Sequence, residues 1–246
     1  MPFYLYPKRH NMKNLIIAST STLHGGGYLE YILPELQVLF KDCNSILFVP
    51  YARPGGISHA DYTEKVQSAF AKINKTVRGL HEFEDPAEAI SKAEAIFTGG
   101  GNTFLLVTQL YKHNIMQLLA ATVKNGIPYL GTSAGSNICG LSMQTTNDMP
   151  IIYPPSFQTL GLIPFNINPH YLDADAQSKH MGETRETRIR EFHAFNAIPV
   201  LGLREGSWLE VKGEKITLKG NLSARLFTKN ENAAELETES DLSSLK

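Results

Sequence analysis

Short apolar runs alternate along the first two thirds of the chain with longer stretches in which apolar residues recur every three or four positions. The short runs predict buried β-strands, and the stretches with apolar residues at every third or fourth position predict amphipathic helices. Such alternation is typical of βαβ units, in which helices cover both faces of a mostly parallel sheet. The predicted strands are 15–18, 46–49, 96–98 and 129–131, and the predicted helices are 30–40, 62–72, 86–93, 104–111 and 116–125.

The pattern changes after Leu141, where turn-rich segments with several prolines replace the regular alternation. A later periodic stretch predicts a helix over 183–195. Two apolar runs around Gly213 predict a small C-terminal hairpin. The later predicted strands are 165–169 and 200–203, and those of the hairpin are 208–211 and 215–218.

The two ends of the chain differ from the part between them. The first residues carry a short basic cluster ahead of the first predicted strand, and Met12 is an alternative start. The last residues are acidic and include few apolar side chains, which predicts a frayed or solvated tail. We therefore expect an N-terminal extension over 1–11, a single α/β domain over 12–230 and a polar acidic tail over 231–246.

The overall composition is that of an ordinary globular protein. The chain has 246 residues, of which 42% are hydrophobic and 19% charged, so disorder is excluded for most of it. A formal net charge of -1 offers no attraction to nucleic acid or to an anionic membrane surface. No apolar run approaches the roughly 20 residues of a membrane-spanning helix. We therefore expect neither nucleic-acid nor membrane partners.

The cysteines bear on the compartment and on metal binding. Cys43 and Cys139 are the two cysteines of the chain, and neither lies in a Cys-x-x-Cys pair or in a spacing typical of metal ligands. This usage favours a reducing, cytoplasmic location. It gives no indication of a metal site, so we expect neither a metal nor a cofactor.

One pentapeptide, Gly-Thr-Ser-Ala-Gly at 131–135, lies between a predicted strand and a predicted helix. This setting is typical of a nucleophile elbow, in which a sharp turn lifts a serine hydroxyl off the end of a strand. The turn brings strand and helix together, so the flanking positions must be small, as Gly131 and Gly135 are. Ser133 would stand at a helix N-terminus, which favours developing negative charge. A serine hydrolase is the leading interpretation, and a tight turn with a buried serine is the alternative.

A glycine run, 99–101, ends another predicted strand and precedes a helix that starts near Asn102. Because parallel strands end at one edge of the sheet, we expect this run on the same edge as the elbow. In a hydrolase, the amides of Gly100 and Gly101 would complete an oxyanion hole with that of Ala134. In a nucleotide-binding protein the same turn would hold a phosphate. The run matches neither the dinucleotide-binding fingerprint nor the Walker loop.

A serine nucleophile needs a base and a group that orients the base. Of the eight histidines, His170 is the candidate because it follows a predicted strand at the active edge; a histidine hydrogen-bonded in a loop is the alternative. Two acids could orient it. Asp148 lies in a polar cluster after the elbow helix, and Glu205 directly follows a predicted strand. The residues alone leave both acids open.

Taken together, these motifs resemble peptidase E, the α-aspartyl dipeptidase family of serine peptidases. The resemblance covers about 14–228, which is nearly the whole chain, and leaves the extension outside it. The matching segments are Gly-Gly-Gly-Asn-Thr-Phe at 99–104, Gly-Thr-Ser-Ala-Gly-Ser-Asn at 131–137, Thr-Thr-Asn-Asp-Met-Pro-Ile at 145–151, Ile-Asn-Pro-His at 167–170, Gly-Glu-Thr-Arg-Glu at 182–186, Arg-Ile-Arg-Glu at 188–191 and Glu-Gly at 205–206.

The resemblance implies a three-layer α/β fold of the class I glutamine amidotransferase-like type. It also implies that Ser133 is the nucleophile and His170 the general base, with the substrate carbonyl oxygen held by amides of the glycine run and of Ala134. Both Asp148 and Glu205 match residues proposed as the third member in this family. We favour Glu205 because it follows a strand end.

The family's preference for an N-terminal aspartate implies a cation that binds the aspartate side chain. Arg185 is the candidate, because a guanidinium binds a carboxylate at two points. The alternative for this arginine is a surface salt bridge with Glu183 or Glu186. Asn102 is a further candidate substrate contact. The expected partners are small peptides, and the expected state is a monomer or a homodimer.

The favoured function is hydrolysis of Asp-Xaa dipeptides through an acyl-enzyme on Ser133, and two other functions stay open. A cyanophycinase-like hydrolase of aspartate-rich polymer would share the elbow and the glycine run, but the segments 145–150 and 182–186 favour the dipeptidase. A non-catalytic module that binds a nucleotide or a small anion at the glycine run is the alternative from another class.

Overall fold

The computed structural model describes residues 12–174 and 182–245, in which eleven strands form two sheets. The predicted extension over 1–11 lies outside the described residues. The strands of the larger sheet are β1 (Asn14–Ala18), β2 (Ser45–Val49), β3 (Thr76–Gly79), β4 (Ile96–Thr98), β5 (Tyr129–Thr132), β8 (Ser207–Lys212) and β9 (Lys215–Gly220), and those of the smaller sheet are β6 (Asn166–Pro169), β7 (Val200–Leu203), β10 (Ala224–Phe227) and β11 (Ala234–Leu236).

The larger sheet has the strand order β3-β2-β4-β5-β1-β8-β9. Its first five strands in this order are parallel, as the alternation of strands and helices predicts. The predicted C-terminal hairpin is β8 with β9, and it extends this sheet because β8 pairs antiparallel with β1. The smaller sheet has the order β11-β10-β7-β6, in which β6 and β7 are parallel.

Seven α-helices connect these strands within the described residues. Side chains that accept hydrogen bonds from the first turn fix the starts of the longer ones, as Ser58, Asn102 and Thr184 do. The helices are α1 (Leu33–Leu39), α2 (His59–Ala71), α3 (Pro86–Ser91), α4 (Thr103–Lys112), α5 (Met116–Lys124), α6 (Ala134–Asn137) and α7 (Arg185–Phe195). None of the helices over 12–174 and 182–245 combines the length and apolar character needed to cross a bilayer.

The alternation of side chains along β1 explains the layered arrangement. Leu15 and Ile17 belong to the core that includes residues of α4 and α5, whereas Ile16 belongs to the opposite core, which includes residues of α1 and α2. Successive side chains of a strand point to opposite faces, so a fully apolar strand needs a cover on both. Helices therefore cover both faces of the parallel sheet.

The segment 231–246 differs from its prediction. The expectation of a frayed or solvated tail is wrong for the described part of it, because Ala234–Leu236 pairs with β10 and Leu242 is only 1% exposed. The acidic composition of the segment gave no indication of this strand, since an edge strand keeps most of its side chains in solvent. A few buried side chains such as Leu242 are enough to hold the segment against the sheets.

Candidate active site

Ser133 lies in the turn between β5 and α6, with φ 55° and ψ -113°. This is a strained conformation for a non-glycine residue, and such strain is typical of functional turns. The turn depends on two close backbone approaches. A Cβ atom at Gly131 would lie 2.5 Å from the carbonyl oxygen of Gly135, and one at Gly135 would lie 2.1 Å from that of Thr98. Only glycine fits at either position, as the sequence pattern indicates.

The side chain of His170 lies between those of Ser133 and Glu205. Its Nε2 atom is 2.8 Å from Oγ of Ser133, and its Nδ1 atom is 2.6 Å from Oε1 of Glu205. An ionised carboxylate only accepts hydrogen bonds, so the ring proton belongs on Nδ1. Nε2 is then free to accept the serine proton. This arrangement can generate a serine nucleophile.

Strand pairing explains why the histidine and the glutamate meet. β6 and β7 are parallel neighbours, with Pro169 opposite Leu203. His170 and Glu205 therefore leave the smaller sheet at the same edge. The side chains of both are partly exposed, at 35% and 44%, so the site is open to a ligand.

Asp148, the other candidate acid, lies in a different network. Its Oδ2 atom accepts hydrogen bonds from the backbone nitrogen of Thr103 at 2.7 Å, from Oγ1 of the same residue at 2.6 Å and from Oγ1 of Thr146 at 3.0 Å. This carboxylate stabilises the N-terminus of α4. Of the two acids, the structure brings Glu205 and not Asp148 to His170.

The three predicted oxyanion amides are not equivalent. The backbone N–H of Gly100, which was expected to donate to the oxyanion, instead donates to the hydroxyl of Tyr62 at 3.1 Å. Among the described residues, no hydrogen-bond acceptor is found for the amides of Gly101 and Ala134. The glycine run packs directly on the serine, because a Cβ atom at Gly100 would lie 2.8 Å from Cβ of Ser133. The amides of Gly101 and Ala134, which directly follow Gly100 and Ser133 in the chain, are therefore available as donors.

Asn102 is engaged within the protein. Its Oδ1 atom accepts a hydrogen bond of 3.1 Å from the backbone N–H of Leu105 and so caps α4. Its Nδ2 atom donates to the carbonyl oxygen of Met149 at 2.9 Å. One amide hydrogen of this side chain is left for a ligand.

Arg185 is the first residue of α7 and is half-buried. Burial, and to a lesser extent the neighbouring Arg188 guanidinium, lowers the pKa of Arg185, whereas Asp148 raises it. Within 12–174 and 182–245 its side chain has no hydrogen bond or ion pair; the carboxylates of Glu183 and Glu186 pair with other arginines. A cation at a helix N-terminus is unfavourable, so this guanidinium is suited to binding an anion.

Sequence reasoning missed two residues next to the site. The hydroxyl of Ser19 accepts a hydrogen bond of 2.9 Å from the backbone N–H of His170. Tyr62 hydrogen-bonds to Gly100. Ser19 directly follows β1 at the active edge, a position that could have indicated it. Tyr62 lies in the first turn of a predicted helix, where no local signal distinguishes it.

Comparison with known proteins gives the family. The sequence model of peptidase family S51 matches residues 15–219. The chain belongs to peptidase family S51. Peptidase E of Streptomyces coelicolor is 50% identical over 232 residues, covering 94% of each chain. A probable alpha-aspartyl dipeptidase of Drosophila melanogaster is 48% identical over 236 residues, covering 95% of this chain and 97% of its own.

Two crystal structures share the fold of this S51 peptidase. A peptidase from an acI-B1 Actinobacterium superposes with a TM-score of 0.70 at 14% identity, over 94% of this chain and 96% of its own. A protein from Listeria monocytogenes EGD-e superposes with a TM-score of 0.65 at 20% identity, over 85% of this chain and 99% of its own. The predicted class I glutamine amidotransferase-like fold is confirmed.

Proposed function

We propose that this S51 peptidase is a serine-type dipeptidase that hydrolyses dipeptides with an N-terminal L-aspartate. The observation that carries the proposal is the hydrogen-bonded series Ser133–His170–Glu205 on an elbow beside two free amides. The family supports the peptidase class. The names of the Streptomyces and Drosophila relatives support the aspartyl substrate.

In the acylation step, Nε2 of His170 removes the proton from Oγ of Ser133 as the oxygen attacks the peptide carbonyl carbon. Negative charge develops on the carbonyl oxygen, where the amides of Gly101 and Ala134 can donate hydrogen bonds. The C–N bond then breaks. The leaving amine takes its proton from His170, and the aspartyl group stays on Ser133 as an ester.

In the deacylation step, water takes the place of the amine. His170 removes a proton from the water as it attacks the ester carbon, and returns that proton to Oγ of Ser133 when the ester breaks. Free aspartate leaves. Glu205 keeps the ring in the tautomer that can accept a proton and stabilises the imidazolium that forms in both steps.

Arg185 is the proposed partner of the substrate's aspartate side chain. This assignment is supported by the position of the guanidinium, which is half-buried at a helix N-terminus and has no hydrogen bond or ion pair to any other described residue. A planar guanidinium can donate two parallel hydrogen bonds to one carboxylate. Asn102 stays a predicted substrate contact, through the amide hydrogen that Met149 does not use.

The surroundings of the protein are also part of the proposal. Cys43 and Cys139 are both buried, and a chain with only two cysteines is suited to a reducing compartment, the cytoplasm. The expected partners are small peptides and not nucleic acid or a membrane. The protein is expected to act as a monomer or a homodimer, without a metal or other cofactor.

The test compares hydrolysis of Asp-Leu, Glu-Leu, Ala-Leu and N-acetyl-Asp-Leu by wild type and Ser133→Ala, with a chelator present. Cleavage of Asp-Leu alone, lost in the variant, is the expected result. The matched control is Ser136→Ala, which removes a hydroxyl that donates to the Ala18 carbonyl instead of to the site. Failure to cleave any dipeptide would contradict the substrate proposal, and hydrolysis of aspartate-rich polymer would be tested next.

A further inference from the structure

The hydroxyl of Tyr62 makes two hydrogen bonds to one residue of the glycine run. It accepts from the backbone N–H of Gly100 at 3.1 Å and donates to the carbonyl oxygen of the same residue at 3.2 Å. On its other side Gly100 packs against Ser133. Tyr62 therefore acts on the segment of backbone that lies directly against the proposed nucleophile.

The position of the tyrosine ring is fixed. Tyr62 is 1% exposed and lies in the first turn of α2, whose start is capped by Ser58. The ring of Phe48 meets it edge to face at a centroid distance of 4.9 Å, and the guanidinium of Arg53 lies 5.1 Å from its centroid. A ring packed in this way holds its hydroxyl at one place.

Holding the carbonyl of Gly100 also sets the direction of the next amide. The peptide bond is planar and trans, so the C=O of Gly100 and the N–H of Gly101 point in opposite directions. Since Tyr62 binds the oxygen, the N–H of Gly101 is directed away from Tyr62. That N–H has no acceptor among the described residues and is one of the two proposed oxyanion donors.

The peptide needs such a restraint. It joins two glycines, which have wide backbone freedom, and Gly101 has φ 147°. A flip of this peptide would exchange the N–H for a carbonyl oxygen, which would repel the negative charge of the transition state. A side chain at Gly101 could not supply the restraint, because a Cβ atom there would lie 2.2 Å from the carbonyl oxygen of Ala52.

We propose that Tyr62 is a positioning residue whose hydroxyl locks the Gly100–Gly101 peptide with the Gly101 N–H directed toward the oxyanion. The inference rests on the proposed function, since it explains what orients one of the hydrogen-bond donors in that mechanism. Tyr62 acts through the glycine run and does not itself touch the substrate. Its effect belongs to the transition state, where the negative charge is present, and not to the binding of the substrate.

The first test is Tyr62→Phe, which removes the hydroxyl and keeps the ring. Because loss of an oxyanion donor costs about 10²- to 10³-fold in kcat, partial misdirection of one should lower kcat for Asp-Leu about 10- to 100-fold. KM should change less than about twofold. The matched control is Tyr111→Phe, at the far end of α4, where the lost hydrogen bond also goes to a backbone carbonyl, that of Gln158. The control should keep kcat within about twofold.

A second readout distinguishes positioning from general weakening of the fold. The aldehyde analogue of aspartate forms a tetrahedral adduct with the serine, in which the former carbonyl oxygen occupies the position of the oxyanion. Free aspartate forms no such adduct. Tyr62→Phe should weaken binding of the aldehyde by the same factor as kcat/KM and leave binding of aspartate unchanged. Equal losses for both ligands, or kcat within twofold of wild type, would overturn the inference.

A third measurement does not depend on the stability of the variant. In a crystal structure of the wild type with the aldehyde bound, the Gly101 nitrogen should lie within about 3 Å of the adduct oxygen while Tyr62 still contacts Gly100. An adduct oxygen that contacts no Gly101 amide would overturn the inference. If Ser133→Ala loses all hydrolysis but Tyr62→Phe behaves as wild type, this inference fails alone. If Ser133→Ala keeps activity, the proposed function fails.

Discussion

The hydroxyl of Ser19 accepts a hydrogen bond of 2.9 Å from the backbone N–H of His170. It also donates one of 2.7 Å to the carbonyl oxygen of Leu203. Ser19 follows β1 of the larger sheet, whereas His170 and Leu203 belong to the end of the smaller one. This buried hydroxyl therefore joins the sheet that carries Ser133 to the sheet that carries its partners. It also holds His170 at φ 53°, in the left-handed region.

We expect Ser19→Ala to lower kcat/KM for Asp-Leu about tenfold or more. The left-handed conformation of His170 costs about 1–3 kcal/mol and loses its support in this variant. Loss of a buried hydrogen-bond partner should also lower the free energy of unfolding by about 1–3 kcal/mol. Steady-state kinetics and urea unfolding measure the two effects. The control is Thr20→Val, whose hydroxyl bonds within its own turn to Thr22; equal kinetics for both variants would contradict the expectation.

The two acids should give different phenotypes. Glu205→Gln places an amide where Nδ1 of His170 needs an acceptor, so we expect kcat to fall about 10²- to 10⁴-fold with little change in the unfolding temperature. Asp148→Asn removes the charge that stabilises the start of α4, so a lower unfolding temperature is expected with a smaller loss of kcat. Kinetics and thermal unfolding of both variants are the measurements. The reverse pattern would identify Asp148 as the orienting acid.

Arg185→Lys keeps the positive charge but loses the planar pair of donors. We expect kcat/KM for Asp-Leu to fall about 10- to 100-fold, since a charge-assisted hydrogen bond is worth roughly 1.5–3 kcal/mol. The control is Arg188→Lys, three residues further along α7, where the exposed guanidinium lies 3.7 Å from Glu183. Unchanged kcat/KM in Arg185→Lys would remove this residue from the substrate site.

The thermal stability of the protein should depend on pH through one carboxyl group of β11. Its Glu235 is hydrogen-bonded to the Arg204 guanidinium, which holds the pKa of this carboxyl below the usual 4.5. A lowered pKa in the folded state adds stability above the usual value, and that stability is lost as the pH falls through the lowered pKa. Glu235→Gln should therefore unfold at a lower temperature than wild type at pH 7, by a difference that shrinks below pH 4.5.

The measurement is the unfolding temperature of both proteins between about pH 7 and pH 3. The effect is small because the pair is partly exposed, at 16% and 40%. The control is Glu237→Gln, which changes an exposed glutamate of the same segment. A difference between wild type and Glu235→Gln that stays constant down to the lowest pH would contradict the assigned ion pair.

Most elements of the main sheet could be predicted, because their signal lies within a few residues. β1 is apolar from Leu15 to Ala18 and β5 begins with Tyr129 and Leu130, and the burial of these residues on both faces follows from that pattern. β3 was missed because two of its four side chains are exposed. β11 was missed because it is an edge strand of three residues in an acidic segment. Both owe their conformation to neighbouring strands, which no local pattern records.

The sequence by itself determined which segments form the parallel strands and their helices, and it determined the elbow around Ser133. The spacing of apolar residues and the small size of Gly131 and Gly135 are local properties. Only the tertiary structure decided which carboxylate contacts His170, since Glu205 is 35 residues away and arrives through the pairing of β6 with β7. It also decided which amides are free. Tyr62, 38 residues before Gly100, takes one of them, because hydrogen bonds depend on proximity in space and not along the chain.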